Sequence, residues 1–347
     1  MKNILSRLFN NIFVFVGLLF IGLGLVFYVV LGRGAVDTLT SQMLERKLVI
    51  ARGGASSIQA FFGLFGNSLK TLGRSEISQE DIDDFVNDWK DTPVSGVILT
   101  DEDGVVLANS TRTEEINTGA DISDRDYFNW AKEAKQGEIF VGEPVVSRVG
   151  VSTGKFVAVT ATPIFRNGEF RGVLAAAMFI SELTQDYLEP LKTSENTRVY
   201  VIDPSGVIIF GPFEKLIRVN YFDYLAENKV LGYEEINRVL KERVSNTAEG
   251  KLKIALPNEK TGKITPFLVA HSPIYYNNGS YWTLAVAIPE ADALTYMTPL
   301  YIRGLILLVI TFMVLMAFSA RLAKRMGYTE GFSEHGVLHK EKNHKAS

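Results

Sequence analysis

The amino-acid sequence predicts an α+β protein in which a long N-terminal helix carries two tandem modules, flanked by two transmembrane helices. Three observations predict it. Two uncharged apolar runs lie near the ends of the chain. A helical recurrence of apolar residues follows the first run, and a set of short strands and turns then occurs twice. At 347 residues the chain also exceeds what one hydrophobic core usually serves.

The first span covers residues 12–32. No charge appears from Leu8 to Gly32, and Ile12 to Leu31 is almost purely apolar. Such a run, at 1.5 Å per residue, crosses a bilayer core of about 30 Å. It is longer than a signal-peptide core of about 7–15 residues, and Leu31-Gly32-Arg33 offers no small-residue cleavage site, so it reads as an uncleaved anchor. Gly17, Gly22 and Gly24 in this span do not have the G-x-x-x-G spacing of close helix pairs. The second span covers residues 301–320, with Arg303 snorkelling outward. Lys2 and Arg7 precede the first span, and Arg321, Lys324 and Arg325 follow the second. Basic flanks of this kind place residues 1–11 and 321–347 in the cytoplasm and residues 33–300 outside. The external stretch holds 27 basic and 36 acidic residues, a net charge of −9, and the tail from Arg321 carries +3.

Residues 35–73 form the long helix. Leu39, Met43, Ile50, Ile58, Phe61, Phe65, Leu69 and Leu72 mostly recur at three- and four-residue steps, with Lys47 and Gly54 as interruptions. The stripe packs on the chain's own modules or forms a dimer seam, and the two can hold together at different heights. Ser78 and Asp81 signal the N-terminus of a second helix, whose apolar face is Ile82, Phe85, Val86 and Trp89. Strands follow at Val97–Leu99 and Val105–Leu107, around the turn Asp101–Gly104, and at Val157–Thr162 and Gly172–Ile180, around Arg166-Asn167-Gly168. Short helices fill Asp126–Lys135 and Ser181–Tyr187. The pattern then repeats: Val199–Ile208 echoes Val97–Val106, Tyr221-Phe222 echoes Tyr127-Phe128, and Ser272-Pro273-Ile274-Tyr275 echoes Thr162-Pro163-Ile164-Phe165, with Asn277-Asn278-Gly279 echoing the Asn167-Gly168 turn. Offsets of 102, 94 and 110 indicate a diverged duplication, with modules at residues 74–190 and 191–295. A helix from Glu290 to Leu300 leads into the second span.

Composition excludes several function classes. The chain has no cysteine, which removes disulfides, thiolate metal sites and thiol nucleophiles. Its four histidines are His271 and three in the tail, His335, His339 and His344, a loose cluster in a polar segment. No nucleophile elbow, Walker loop, post-strand GxGxxG or H-E-x-x-H motif is present, and the paired acids Asp83-Asp84 read as a solvated helix face. The charge balance offers no basic surface for nucleic acid. The expectation is therefore a protein that is not an enzyme and uses no cofactor.

The run Asp121-x-Ser123-x-Arg125-x-Tyr127-Phe128, then Ser147…Thr153-Gly154-Lys155, then Pro163-Ile164…Asn167-Gly168…Gly172-Val173-Leu174 resembles the double Cache (dCache_1) sensor domains of bacterial chemoreceptors, sensor histidine kinases and diguanylate cyclases. The resemblance covers about residues 35–295. It implies two PAS-like modules on the long helix, with the ligand in the membrane-distal one. It also implies a subgroup pattern for α-amino acids: an Arg and an aromatic hold the carboxylate, a Tyr-x-Asp and a further Asp the amine. Arg125 and Tyr127 match the carboxylate half. Val145, Val146 and Ser147 stand where Tyr-x-Asp belongs, and Ala177 stands at the further Asp, so the amine half is missing. A buried ammonium without a carboxylate binds poorly, which points to a small carboxylate rather than an α-amino acid.

The candidate ligand-binding residues are Arg125, Tyr127, Phe128, Trp130 and Ser147, with Arg148 and Lys155 nearby. Arg125 suits a carboxylate because its guanidinium fork binds both oxygens; the alternative is a surface pair with Asp121, Asp124 or Asp126. Tyr127, Phe128 and Trp130 either wall a pocket or fill a core, and Ser147, Arg148 and Lys155 either meet a ligand or cap a solvated strand end. The second module has Val219-Asn220 before its Tyr221-Phe222 pair and no matching Arg, and reads as a spacer. The expected function is extracytoplasmic sensing of a small molecule, an organic acid, by a two-pass protein of the bacterial inner membrane. It forms a homodimer and, with no output domain in the 27 residues after the second span, signals through a separate protein. The alternatives are a non-signalling solute-binding or scaffold protein of the envelope, or a truncated receptor.

Overall fold

The computed structural model describes residues 2–112, 118–245, 248–257, 263–276, 279–295, 299–318 and 321. Two compact units divide the chain, one of residues 1–41 and 294–347, the other of Gln42–Ala293. The tail histidines and the Asn277-Asn278 pair lie outside the described residues.

In the first unit the early part of helix α1 (Lys2–Leu72) meets helix α8 (Pro299–Phe318). Both are long and apolar enough to cross a membrane, and their large apolar side chains, among them Phe20, Phe27, Leu307 and Phe318, face outward. The helices pack small against large. A Cβ at Gly32 would lie 2.5 Å from the Tyr301 hydroxyl, one at Gly304 3.1 Å from the Tyr28 ring, and one at Gly24 3.4 Å from Leu308. The Tyr28 and Tyr301 rings meet edge to face at 5.7 Å, and the Tyr28 hydroxyl donates to the Tyr301 carbonyl. Close approach thus needs no G-x-x-x-G run, because the small residues are shared between two helices.

In the second unit α1 from Gln42 onward is the spine. Its buried stripe is Ala51, Ala55, Ile58, Phe62, Phe65 and Leu69, covered by the chain's own modules, the first of the two readings above. Both interruptions have a local cause. Gly54 abuts Leu191, whose methyl a Cβ would strike. Lys47 is 3% exposed and donates to the hydroxyls of Thr193 and Thr197, the latter at 3.3 Å. Burial holds its pKa below the usual lysine value.

Helix α2 (Gln79–Asp88) starts in a capping box in which Ser78 and Asp81 bond reciprocally. The first sheet contains β1 (Val94–Thr100), β2 (Val106–Thr111), β3 (Phe140–Val141), β4 (Val145–Val146), β5 (Phe156–Arg166) and β6 (Glu169–Phe179), in the order β2-β1-β6-β5-β3, with β4 also on β5. One face packs on α1 and α2, the other on α3 (Asp126–Glu133). Covered on both faces, its strands read as near-continuous apolar runs. Asn167 at φ 55° and Gly168 at φ 83° make the two-residue β5–β6 turn. Helix α4 (Ile180–Leu183) continues into a wide π-turn over Thr184–Leu188, so the expected short helix is in two parts.

The second sheet holds β7 (Arg198–Ile202), β8 (Ile208–Phe210), β9 (Gly250–Pro257), β10 (Ile264–Tyr275) and β11 (Tyr281–Pro289), in the order β8-β7-β11-β10-β9. This is the strand order of the first sheet. The repetition reaches single hydrogen bonds: Asp101 and Asp203 each accept from the backbone N–H four residues on, at 2.8 Å. The Ile122 and Tyr221 amides donate to the Gly104 and Gly206 carbonyls, each at 2.9 Å. Helices α5 (Tyr221–Glu227), capped by Asn220, and α6 (Tyr233–Ser245) cover the outer face. The sequence reading missed α6, β9 and the short β3 and β4. Helix α7 (Glu290–Ala293) stops early, whereas the expected helix ran to Leu300; Leu294 and Thr295 form a turn.

His271 on β10 is 3% exposed, and neither ring nitrogen has a hydrogen-bond partner among the described residues. Burial, reinforced by the Arg243 guanidinium and opposed by Glu249, lowers its pKa to about 4. The folded state therefore binds fewer protons than the unfolded one between about pH 6.5 and 4, and stability falls as pH falls through that window. Replacing His271→Leu removes up to about 3 kcal/mol of this acid-dependent loss. Urea melts of both proteins at pH 7 and pH 4.5 check it. In the first unit, Gly32→Leu drives α1 and α8 apart. In this cysteine-free chain, disulfide yield between Gly24→Cys and Leu308→Cys should drop severalfold when Gly32→Leu is added.

Candidate functional site

A cleft of about 540 Å³, open solvent included, lies between the outer face of the first sheet and the α3 start. Its floor follows from strand register. Thr111 pairs with Gly96, Gly96 with Ala177, and Ala177 with Val159, so four strands present one row to the same side. The next row holds Ile98 opposite Ala175. Ala175 and Ala177 are small and leave room between the larger Ile98, Thr111 and Val159, and Gly96 is small because a Cβ there would lie 2.6 Å from the Ser110 carbonyl oxygen of β2. Ile122, Val145, Val149 and Val157 supply apolar walls.

Arg125 stands at the N-cap of α3, half-buried on the wall of this cleft, and its Nη2 donates to the Val146 carbonyl at 3.1 Å. It makes no ion pair with Asp121, Asp124 or Asp126; Arg148 takes Asp124, at 2.6 Å. Arg125 thus keeps most of its donors for the cleft. Tyr127, two residues on, is 8% exposed and lines the same cleft. Its hydroxyl has no hydrogen-bond partner among the described residues. Burial, opposed by Arg125 and Arg148, pushes its pKa up to about 12, so it is a neutral donor at physiological pH.

Ser147 also lines the cleft, in a tight network: its Oγ donates to the Val149 carbonyl at 3.0 Å and accepts from Ser152 at 2.8 Å. Phe128 and Trp130 do not line it. Phe128 is fully buried in the core between α3 and the sheet, 6.1 Å from the Phe170 ring, because it follows Tyr127 on the helix and points to the other side. Trp130 packs on Phe140 at 5.3 Å. Lys155 is exposed over the Phe179 ring at 4.6 Å, a strand-end contact. Among the described residues no Asp or Glu lines this cleft, and no group of three metal-ligating side chains occurs.

A second cleft, about 490 Å³ with open solvent included, shares Arg125, Tyr127 and Arg148 and is lined on its far side by Asp124, Asp126 and Glu143. Burial, with Asp203 and Asp126 nearby, raises the Glu143 pKa above its ordinary value.

The second module fills the equivalent hollow. Arg198 occupies the register position of Gly96, Tyr200 that of Ile98, Phe267 that of Val157 and His271 that of Ala161. The Arg198 guanidinium sits over Phe213 at 5.3 Å and Phe267 at 4.6 Å. Ala285 and Ala287 stand at the positions of Ala175 and Ala177, so the difference in volume between the copies lies at Gly96, Val157 and Ala161, where the second copy has Arg198, Phe267 and His271.

The sequence model of the Cache domain (dCache_1) matches residues 33–297. The chain belongs to the Cache domain family. No curated protein matches the sequence. Among solved structures, the Cache fold here is similar to the periplasmic sensory domain of the Campylobacter jejuni chemoreceptor Tlp1, with TM-score 0.53 and 17% identity over 74% of this chain and 98% of that one. It is also similar to the ligand-binding domain of the Pseudomonas aeruginosa PAO1 amino acid chemoreceptor PctB in complex with L-Arg, with TM-score 0.54 and 17% identity over 74% and 92%. An extracellular ligand-binding receptor from Desulfohalobium retbaense matches with TM-score 0.54 and 14% identity over 70% of this chain and 40% of that receptor, so the chain spans about two-fifths of its length. At these identities the likeness is one of fold. Cache domains of this kind are ligand-binding sensor domains rather than enzymes.

Filling the floor tests the site. Ala177→Leu should abolish ligand-induced stabilisation while the unliganded melting temperature changes by no more than a few degrees, because the new side chain enters an existing hollow. Differential scanning fluorimetry of both proteins, with and without ligand, measures this.

Proposed function

We propose that this Cache protein senses a small carboxylate, not an α-amino acid, in its first module. One observation carries the reading. The Arg125 guanidinium and the unpartnered Tyr127 ring lie on one cleft, which among the described residues no acidic side chain lines. A carboxylate would take the Arg125 fork and the Tyr127 proton, and its carbon chain would lie on the Gly96–Ala177 floor. An α-ammonium, one carbon away, would be buried against valines and alanines with no anion. Ser147 would wall the site.

Residues 12–32 and 301–320 serve as spans, with residues 1–11 and 321–347 cytoplasmic and 33–300 periplasmic in a bacterial inner membrane; the basic flanks support this orientation. Residues 74–190 are the ligand module and 191–295 a spacer whose own hollow Arg198 and Phe267 fill. Exposed Val49 and Leu64 on α1 support a homodimer through that helix. Ligand binding shifts the two-state equilibrium by its differential affinity, and a separate signalling protein reads the shift.

The full chain in detergent, screened by thermal shift against small organic acids, amino acids, amines and sugars, tests the reading. A monocarboxylate at about 100 times its dissociation constant adds roughly 2.7 kcal/mol of stability. Arg125→Ala should abolish the shift, and Tyr127→Phe should weaken binding about fivefold. An α-amino acid as the best ligand, or a carboxylate shift that survives Arg125→Ala, would overturn it.

A further inference from the structure

Gln59 and Gly63 of α1, Ile139 and Val141 of the first module, and Tyr275 and Tyr276 of the second surround a further cleft of about 660 Å³, open solvent included. It shares no lining residue with the two clefts at Arg125. Two observations distinguish it from a packing defect. The first is a buried donor. Tyr276 is 8% exposed, its ring lies 5.4 Å from Phe62 and 4.9 Å from Trp282, and its hydroxyl has no hydrogen-bond partner among the described residues. Burial holds its pKa well above the ordinary tyrosine value, so the hydroxyl keeps its proton. Counting on from Pro163 and Pro273, Tyr276 stands where the first module has Arg166. The Arg166 guanidinium donates to the Gly73 and Ser75 carbonyls, just past the end of α1. Tyr276 instead meets the middle of α1, where backbone carbonyls are bonded within the helix. The second observation is Gly63. Glycine in a helix interior lowers helix stability, yet a Cβ at Gly63 would meet nothing within 4 Å. Close packing therefore does not account for it, and the missing side chain leaves room on the helical wall of the cleft.

The lining also specifies a chemistry. Among the described residues no charged side chain lines this cleft, so an ionic group buried there would have no counter-charge. Gln59 Oε1 accepts from the Tyr275 amide at 3.3 Å, which leaves the Gln59 NH2 as a second donor besides the Tyr276 hydroxyl. The remaining walls are aromatic and aliphatic. Two neutral donors with flat apolar walls call for an uncharged acceptor on a flat body.

We infer that the cleft between α1, Ile139 and Tyr276 is a second ligand site, which takes an uncharged planar molecule bearing a carbonyl oxygen, of the aromatic amide class. The carbonyl oxygen accepts from the Tyr276 hydroxyl and the Gln59 NH2. The ring lies over Gly63, against Ile139, Val141 and the Tyr275 ring. This site is independent of the carboxylate reading above, since none of its residues touches the first cleft. The spine and both modules each supply part of the lining. An occupant therefore favours the arrangement in which all three face the cleft, and shifts the equilibrium by its differential affinity for that arrangement.

Calorimetric titration of the full chain in detergent, with detergent alone as the blank, would use benzamide, nicotinamide, benzoate and benzylamine. Both ions are measured in Arg125→Ala, so that the first cleft does not contribute. At least one amide should bind, and each ion should bind at least about tenfold more weakly. Tyr276→Phe should weaken the amide about fivefold and yet raise the melting temperature of the unliganded protein, because it deletes a buried hydroxyl without a partner. A purely structural role for Tyr276 cannot move the two readings in opposite directions. Gly63→Leu should abolish amide binding with the unliganded melting temperature unchanged or higher. Arg125→Ala should leave amide affinity unchanged. No binding by either amide overturns the inference, as does equal binding of an ion or amide affinity that survives Gly63→Leu or Tyr276→Phe. Amide binding lost in Arg125→Ala also overturns it and places the amide in the first cleft. None of these outcomes bears on the carboxylate reading except the last, which would widen that cleft's ligand range.

Discussion

The burial of one face of α1 against two sheets is the contact on which the rest of this Cache domain depends. Phe61, Phe62, Phe65 and Leu69 lie in a single apolar cluster with Val97, Leu174 and Met178 of the first sheet and Val201, Leu284 and Val286 of the second. The aromatic contacts join the same parts: Phe65 meets Trp89 at 4.8 Å, and Phe62 meets Tyr276 at 5.4 Å and Trp282 at 5.9 Å. Because one face of each sheet is spent on the spine, the other is free for smaller helices. That outer face is where the cleft forms in one module and where Arg198 and Phe267 fill the space in the other.

Duplication and divergence give this arrangement its asymmetry. Both copies keep the Asp-based turn, the small bridge to the following helix and the strand order, because these set the backbone. What changed is side-chain volume at a few positions of one face. A Gly or Ala in the floor leaves a hollow that costs van der Waals contacts, and a ligand can restore them. An Arg between two aromatic rings replaces that hollow with permanent packing. Two modules of one fold thus differ on their outer faces through side-chain volume, with no change of topology.

The sequence carried the fold well. The helical stripe, the Ser78 cap, the Asn167-Gly168 turn and the echo of Val97–Val106 in Val199–Ile208 are local signals, each with a steric or hydrogen-bonding cause within a few residues. It missed α6 and β9: α6 is highly polar, and β9, an edge strand, alternates Lys251 and Lys253 with apolar residues and reads as a solvated segment. The site was half legible. Arg125, Tyr127 and Ser147 were named from their motif and line the cleft, whereas Phe128 and Trp130, from the same run, do not line it and pack within the apolar cluster beside it.

The sequence by itself therefore determined the order of elements, the duplication and the two apolar helices, because these follow from periodicity, turn chemistry and residue type. Only the tertiary structure decided which side chains share the cleft. Helix phase turns Tyr127 to the cleft and Phe128 into the core beside it, and strand register sets Thr111, Gly96, Ala177 and Val159, far apart in the chain, in one row. It also decided that Lys47 could be buried, because the hydroxyls that receive its ammonium lie about 150 residues away. Such pairings depend on long-range packing, which no local pattern encodes.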